Sequence, residues 1–83
     1  MTDRTDRIRA LNIAIDRAGG IGPFKVALGV THQAVYSWKK RGYVPVDKAL
    51  VIERLFATPR EDIVHPDVAL ALRTPYQAAA DVL

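Results

Sequence analysis

Between Thr31 and Arg41 the chain reads Thr-His-Gln-Ala-Val-Tyr-Ser-Trp-Lys-Lys-Arg. His32, Gln33, Tyr36 and Ser37 supply hydrogen-bonding groups there, Lys39, Lys40 and Arg41 supply cations, and no acid interrupts them. A helix of this composition suits recognition of base edges and phosphates. The Gln33 amide can bond adenine in two places at once, and His32 can meet guanine acceptors or a phosphate. Ser37 can donate or accept. Tyr36 can offer its ring to a thymine methyl or its hydroxyl to a phosphate; alternatively it packs beside the tip of the turn. Lys39, Lys40 and Arg41 come at the helix end, where a nucleic-acid backbone rather than a base edge is the natural partner.

Other polar residues form no competing site. His65 and Asp67 flank one proline with no third ligand or nucleophile at matching spacing, which points to a solvent-facing turn. Glu61-Asp62 sits at an expected helix start, where acids favour the dipole. Gly19-Gly20-Ile21-Gly22 lacks the lysine and hydroxyl of a phosphate loop. With no cysteine, neither a disulfide framework nor a thiolate metal site is available. No cofactor, no metal and no enzyme activity are expected.

The elements that must hold the recognition run follow from punctuation and periodicity. Thr5 or Asp6 is expected to cap a first helix to about Ala18, with Ile8, Leu11, Ala14, Ile15 and Ala18 as its apolar stripe, and Gly19-Gly20 as its stop. Arg4 and Arg7 are read as a solvated N-terminus, the other reading being an arm along a nucleic-acid backbone. A short second helix is expected to open with Pro23 at its first position, turning Phe24, Ala27 and Leu28 inward before Gly29. Thr31 should cap a third helix from His32 to about Lys40, with Val35 and Trp38 on its inner side. Gly42 breaks it, and Val44-Pro45 is extended. A fourth helix beginning after Asp47, or after Val46-Asp47, and continuing to about Ala57 is placed by Ala49 or Leu50, Ile52 or Glu53, and Phe56, its face widened by Val51 and Leu55. Thr58-Pro59-Arg60-Glu61 has the form of a capping box for a turn that Pro66 ends. Beyond it, alternation at Val68, Leu70 and Leu72 suits a strand, and the intervening alanines suit a helix equally.

Together these predict an all-α bundle of about five short helices, with residues 1–67 as one domain and 68–83 as a tail. Eighty-three residues leave no room for a second core. A content of 49% hydrophobic and 25% charged residues argues against disorder. The charge is unevenly placed. Residues 23–48 hold five cations against Asp47 alone, whereas the rest of the chain has seven arginines against eight acids. One positive face is what a polyanion partner requires. The absence of a leader-like start or a long apolar run favours a cytoplasmic protein, with no membrane partner and no small-molecule substrate expected.

Ala27 to Lys40, followed by Val44-Pro45, Ile52-Glu53 and Ile63-Val-His-Pro-Asp67, resembles the Cro-type and YdaS-type helix-turn-helix repressors over roughly residues 8–67. The resemblance implies a lambda-repressor-like all-α regulator of a phage or bacterial host that dimerises on a double-stranded DNA operator. It places base reading on His32, Gln33, Tyr36 and Ser37. Backbone contact falls to Pro23 and Phe24 at the start of the second helix, to Thr31, and to Lys39, Lys40 and Arg41. Two positions depart from the family: Lys25 replaces an alanine four residues before the turn glycine, and His65 replaces an arginine. The alternative is an antitoxin or antirepressor that uses the apolar stretch Val68 to Leu83 to occlude a protein. RNA binding is disfavoured by the lack of a predicted sheet or exposed aromatic platform.

Overall fold

A computed structural model describes residues 3–73, and among them the fold is all-α. Five helices, α1 (Arg4–Ala18), α2 (Ile21–Leu28), α3 (His32–Arg41), α4 (Val46–Phe56) and α5 (Pro66–Arg73), are joined by short turns, with a single 3₁₀ turn at Arg60–Asp62 before α5. None is long and apolar enough to cross a membrane.

The helix stops fall where glycine was expected to put them. Gly19, Gly29 and Gly42 each close a helix in the left-handed region, with φ of 98°, 67° and 86°, where a Cβ is disfavoured. At Gly29 a Cβ would meet no neighbour within 4 Å, so the demand there is for the backbone angle alone.

The starts were less legible. α1 begins two or three residues earlier than Thr5 or Asp6 would set it: the Asp3 side chain accepts from the Asp6 N–H at 2.8 Å. α2 begins at Ile21, so Pro23 is its third residue and not its first. Its missing N–H is harmless there too, since the first-turn amides have no intrahelical partner.

The core gathers Leu11, Ala14 and Ile15 of α1, Phe24 and Leu28 of α2, Val35 and Trp38 of α3, and Ala49 and Ile52 of α4. Val44, Ile63, Val64 and Ala69 complete it from the turns and α5. Phe24 meets Phe56 with ring centroids 5.6 Å apart. α1 packs on α2 and α4, and α5 packs on the 3₁₀ turn. α5 runs across residue 67, where the sequence placed a boundary, and its Ala69 belongs to the core. The apolar run from Val68 is therefore helical as far as Arg73; the short turn expected before Pro66 is the 3₁₀ turn Arg60–Asp62, and Pro66 then opens α5. Residues 74–83, the rest of the expected tail, lie outside the described residues.

Three inward assignments are corrected. Ala27 is exposed. Val51 and Leu55 are 36% and 51% exposed, so α4's buried side is narrower than its apolar content implies. The capping box at Thr58 does not form. Thr58 is buried with its hydroxyl unpaired, and the Glu53 carboxylate accepts the Arg60 N–H at 2.9 Å. A residue seven positions back on α4 thus performs the capping that the local pattern assigned to Thr58.

Candidate nucleic-acid interface

α2 and α3 are linked by Gly29-Val30-Thr31, and the Thr31 side chain accepts from the Ala34 N–H at 3.1 Å, starting α3 as the sequence indicates. Val35 and Trp38, three residues apart, are 0% and 5% exposed and hold α3 to the core. With those two on the inner side, helical spacing turns Gln33, Tyr36 and Lys40 outward, and all three are exposed; His32, Ser37 and Lys39 are half-buried along the same run. Four positions apart, His32 and Tyr36 meet edge to face at 4.6 Å between centroids, so the two rings form one aromatic ledge beside the Gln33 amide. Tyr36 remains 57% exposed, which leaves its ring and hydroxyl open to a ligand.

Lys39, Lys40 and Arg41 occupy the last turn of α3, where cations also complement the negative end of the helix dipole. Thr31 is exposed, and its hydroxyl proton remains available while its oxygen caps the helix.

Phe24 is the correction among the expected backbone-contacting residues. Its side chain is fully buried, and its N–H donates to the Gly20 carbonyl at 3.1 Å. Neither group can meet a phosphate. Its ring was needed by the core, where it closes on Phe56. Pro23 is exposed but offers no donor, so it can contribute only contact. The α2 start has no side-chain cap, which leaves the Ile21 and Gly22 amides as the donors at that end.

The most informative contacts come from the start of α1, where Arg4 and Arg7 were read as a solvated N-terminus. The Arg4 guanidinium donates to the carbonyls of Lys39 at 3.2 Å and Lys40 at 2.6 Å, and Arg7 donates to the carbonyl of Gly42. These are three of the carbonyls that the end of a helix leaves unsatisfied. Gly42 makes room for the contact: a Cβ there would come within 2.6 Å of the Arg4 side chain. α1 therefore closes the C-terminal end of α3 and adds two cations beside Lys39, Lys40 and Arg41. Arg17 treats α4 in the same way, donating to the carbonyls of Phe56 at 2.8 Å and Ala57 at 3.2 Å. Arg4 and Arg7, at helical spacing before the apolar stripe, were the only sequence signal of the first contact, and Arg17 near the end of that stripe carried none. The carbonyls they reach lie 35 to 40 residues away.

His65 and Lys25 stand apart from this surface. His65 Nδ1 accepts the Asp67 N–H at 3.1 Å and its ring meets Tyr43 edge-on at 5.0 Å, so it caps the start of α5. Lys25 is half-buried in α2. No group of three or more potential metal ligands occurs among the described residues. Comparison with protein-family models, characterised proteins and solved structures returned no match, so the chemistry of the α3 surface itself has to speak for its role.

Proposed function

We propose that the chain is a sequence-specific double-stranded DNA-binding regulator that lays α3 in the major groove and acts as a dimeric repressor. The observation that carries this is the composition of α3 around two buried anchors. Val35 and Trp38 fix the helix from behind, and its other positions present an amide, a hydroxyl, two rings and three cations with no acid. A purely structural helix on a protein of mixed charge has no need to exclude acids from its open side. A helix facing a polyanion does.

In this reading Gln33, Ser37, His32 and Tyr36 meet base edges, while Lys39, Lys40, Arg41, Thr31 and the Ile21 and Gly22 amides contact the backbone. α2 and α3 then form a helix-turn-helix, and the likeness to Cro-type and YdaS-type repressors belongs to the proposal. Two copies related by a two-fold axis would read half-sites about 34 Å apart.

Selection from random duplex DNA tests it directly. The expected winners share a palindromic consensus with half-sites one helical turn apart, and binding weakens steeply with salt. Recovery of no enriched sequence, together with no affinity for any duplex at low ionic strength, overturns the proposal.

A further inference from the structure

α4 has a second face that nothing among the described residues covers. Ala49 and Ile52 are fully buried, but Val46, Leu50, Val51 and Leu55 remain between 36% and 51% exposed. Asp47, Leu50, Val51 and Arg54 follow the i, i+3, i+4, i+7 spacing that sets four side chains on one helix face. Asp47 and Arg54 are exposed, and neither side chain has a hydrogen-bond or ion-pair partner among the described residues.

This face reads alike from both ends. About a midpoint between Leu50 and Val51, Leu50 mirrors Val51, acidic Asp47 mirrors basic Arg54, and Val46 mirrors Leu55. In a two-fold contact, residue i of one copy meets residue j of the other and j meets i. A strip with that symmetry is complementary to itself when reversed.

We infer that the outer face of α4 binds a second copy of this chain, with the two α4 helices antiparallel about a two-fold axis at Leu50 and Val51. The inference rests on the dimeric reading above and specifies its surface. Antiparallel pairing closes the apolar centre and sets Asp47 against Arg54 of the other copy at both ends. Parallel pairing would set Asp47 against Asp47 and Arg54 against Arg54, so charge selects the antiparallel arrangement. Opposed helix dipoles favour the same choice. Two helices of eleven residues bury far less than the roughly 1,600 Å² of a standard interface. The free chain is therefore in a concentration-dependent monomer–dimer equilibrium, which DNA binding shifts towards the dimer.

Charge exchange tests the pairing by sedimentation equilibrium of the full chain without DNA. Asp47→Arg leaves two cations on the face and Arg54→Asp leaves two acids, so each variant alone should self-associate at least roughly tenfold more weakly than wild type. Each of the two ends then opposes like charges, and tenfold corresponds to about 1.4 kcal/mol. An equal mixture of the two variants pairs opposite charges at both ends and should recover a heterodimer of about wild-type strength. Both positions are exposed, and recovery in the mixture shows in the same experiment that the variants are folded. The inference is overturned if wild type stays monomeric across the concentration series, if either variant self-associates like wild type, or if the mixture gains nothing over its components. Duplex binding by wild type is measured separately. Loss of that binding with the charge-exchange pattern intact sinks the DNA reading and leaves the α4 interface standing.

Discussion

α3 and α4 are neighbours of nearly equal length, each holding the core by one narrow side, and they present opposite chemistry to solvent. α3 buries Val35 and Trp38 and exposes an amide, a phenol and cations. α4 buries Ala49 and Ile52 and exposes Val46, Leu50, Val51 and Leu55 around one acid and one base. A surface rich in unused donors and poor in acids fits a polyanion, whereas an apolar surface with balanced charge fits another protein. Burial alone would class the two helices together. The composition of the uncovered side separates their roles.

The comparison breaks most forcefully at the inner anchors. Trp38→Ala should cost about 3–5 kcal/mol by opening a cavity behind α3, enough to unfold much of so small a domain. Thermal unfolding followed by circular dichroism would show a large fall in melting temperature, and retention of the wild-type melting temperature would mean that α3 is not held in this way. On α4 the contrast lies between adjacent residues. In the monomer, at chain concentrations too low for self-association, Ile52→Ala should destabilise by about 2–4 kcal/mol, and Val51→Ser by under about 0.5 kcal/mol, because Ile52 is 0% and Val51 36% exposed. Equal effects at the two positions would refute the assigned face.

Smaller effects sharpen the assignment of α3. Gln33→Ala should lose about 1–3 kcal/mol of discrimination between the preferred site and its mismatched variants, while nonspecific binding persists. A competition gel shift showing wild-type discrimination would remove Gln33 from the base-reading set. Lys40→Ala should weaken binding to every duplex alike and lower the slope of log affinity against log salt by about one. A last change concerns neither face. Ala57 ends α4 at a φ of 57°, a conformation that disfavours a Cβ, so Ala57→Gly should stabilise the fold by roughly 0.5–1 kcal/mol in chemical denaturation.

Much of α3 was legible beforehand because its determinants lie within a turn or two of one another. Thr31 caps the N–H of Ala34, and Val35 and Trp38 are set inward by helical spacing. What escaped the sequence required knowledge of where helices cross. Phe24 was read both as an inward residue of α2 and, through the family resemblance, as a backbone contact; the inward reading holds, and its partner Phe56, thirty-two residues on, could not be read locally. Arg4 and Arg7 could not be told from solvated residues until α3 ended beside them.

The chain's own order of residues determined that the first four segments, α1 to α4, are helical and where three of them stop, since a glycine tolerates a positive φ wherever the chain carries it; the helix at Pro66–Arg73 stayed undecided against a strand. It also determined which side of α3 faces the core. Only the tertiary structure decided which carbonyls Arg4, Arg7 and Arg17 satisfy, why Glu53 and not Thr58 caps Arg60, and that Val51 and Leu55 stay uncovered. Helix starts, stops and faces are set by steric and hydrogen-bonding preferences acting over a few residues. Partners across the fold depend on the crossing of whole helices, and that is settled jointly by every side chain in the core.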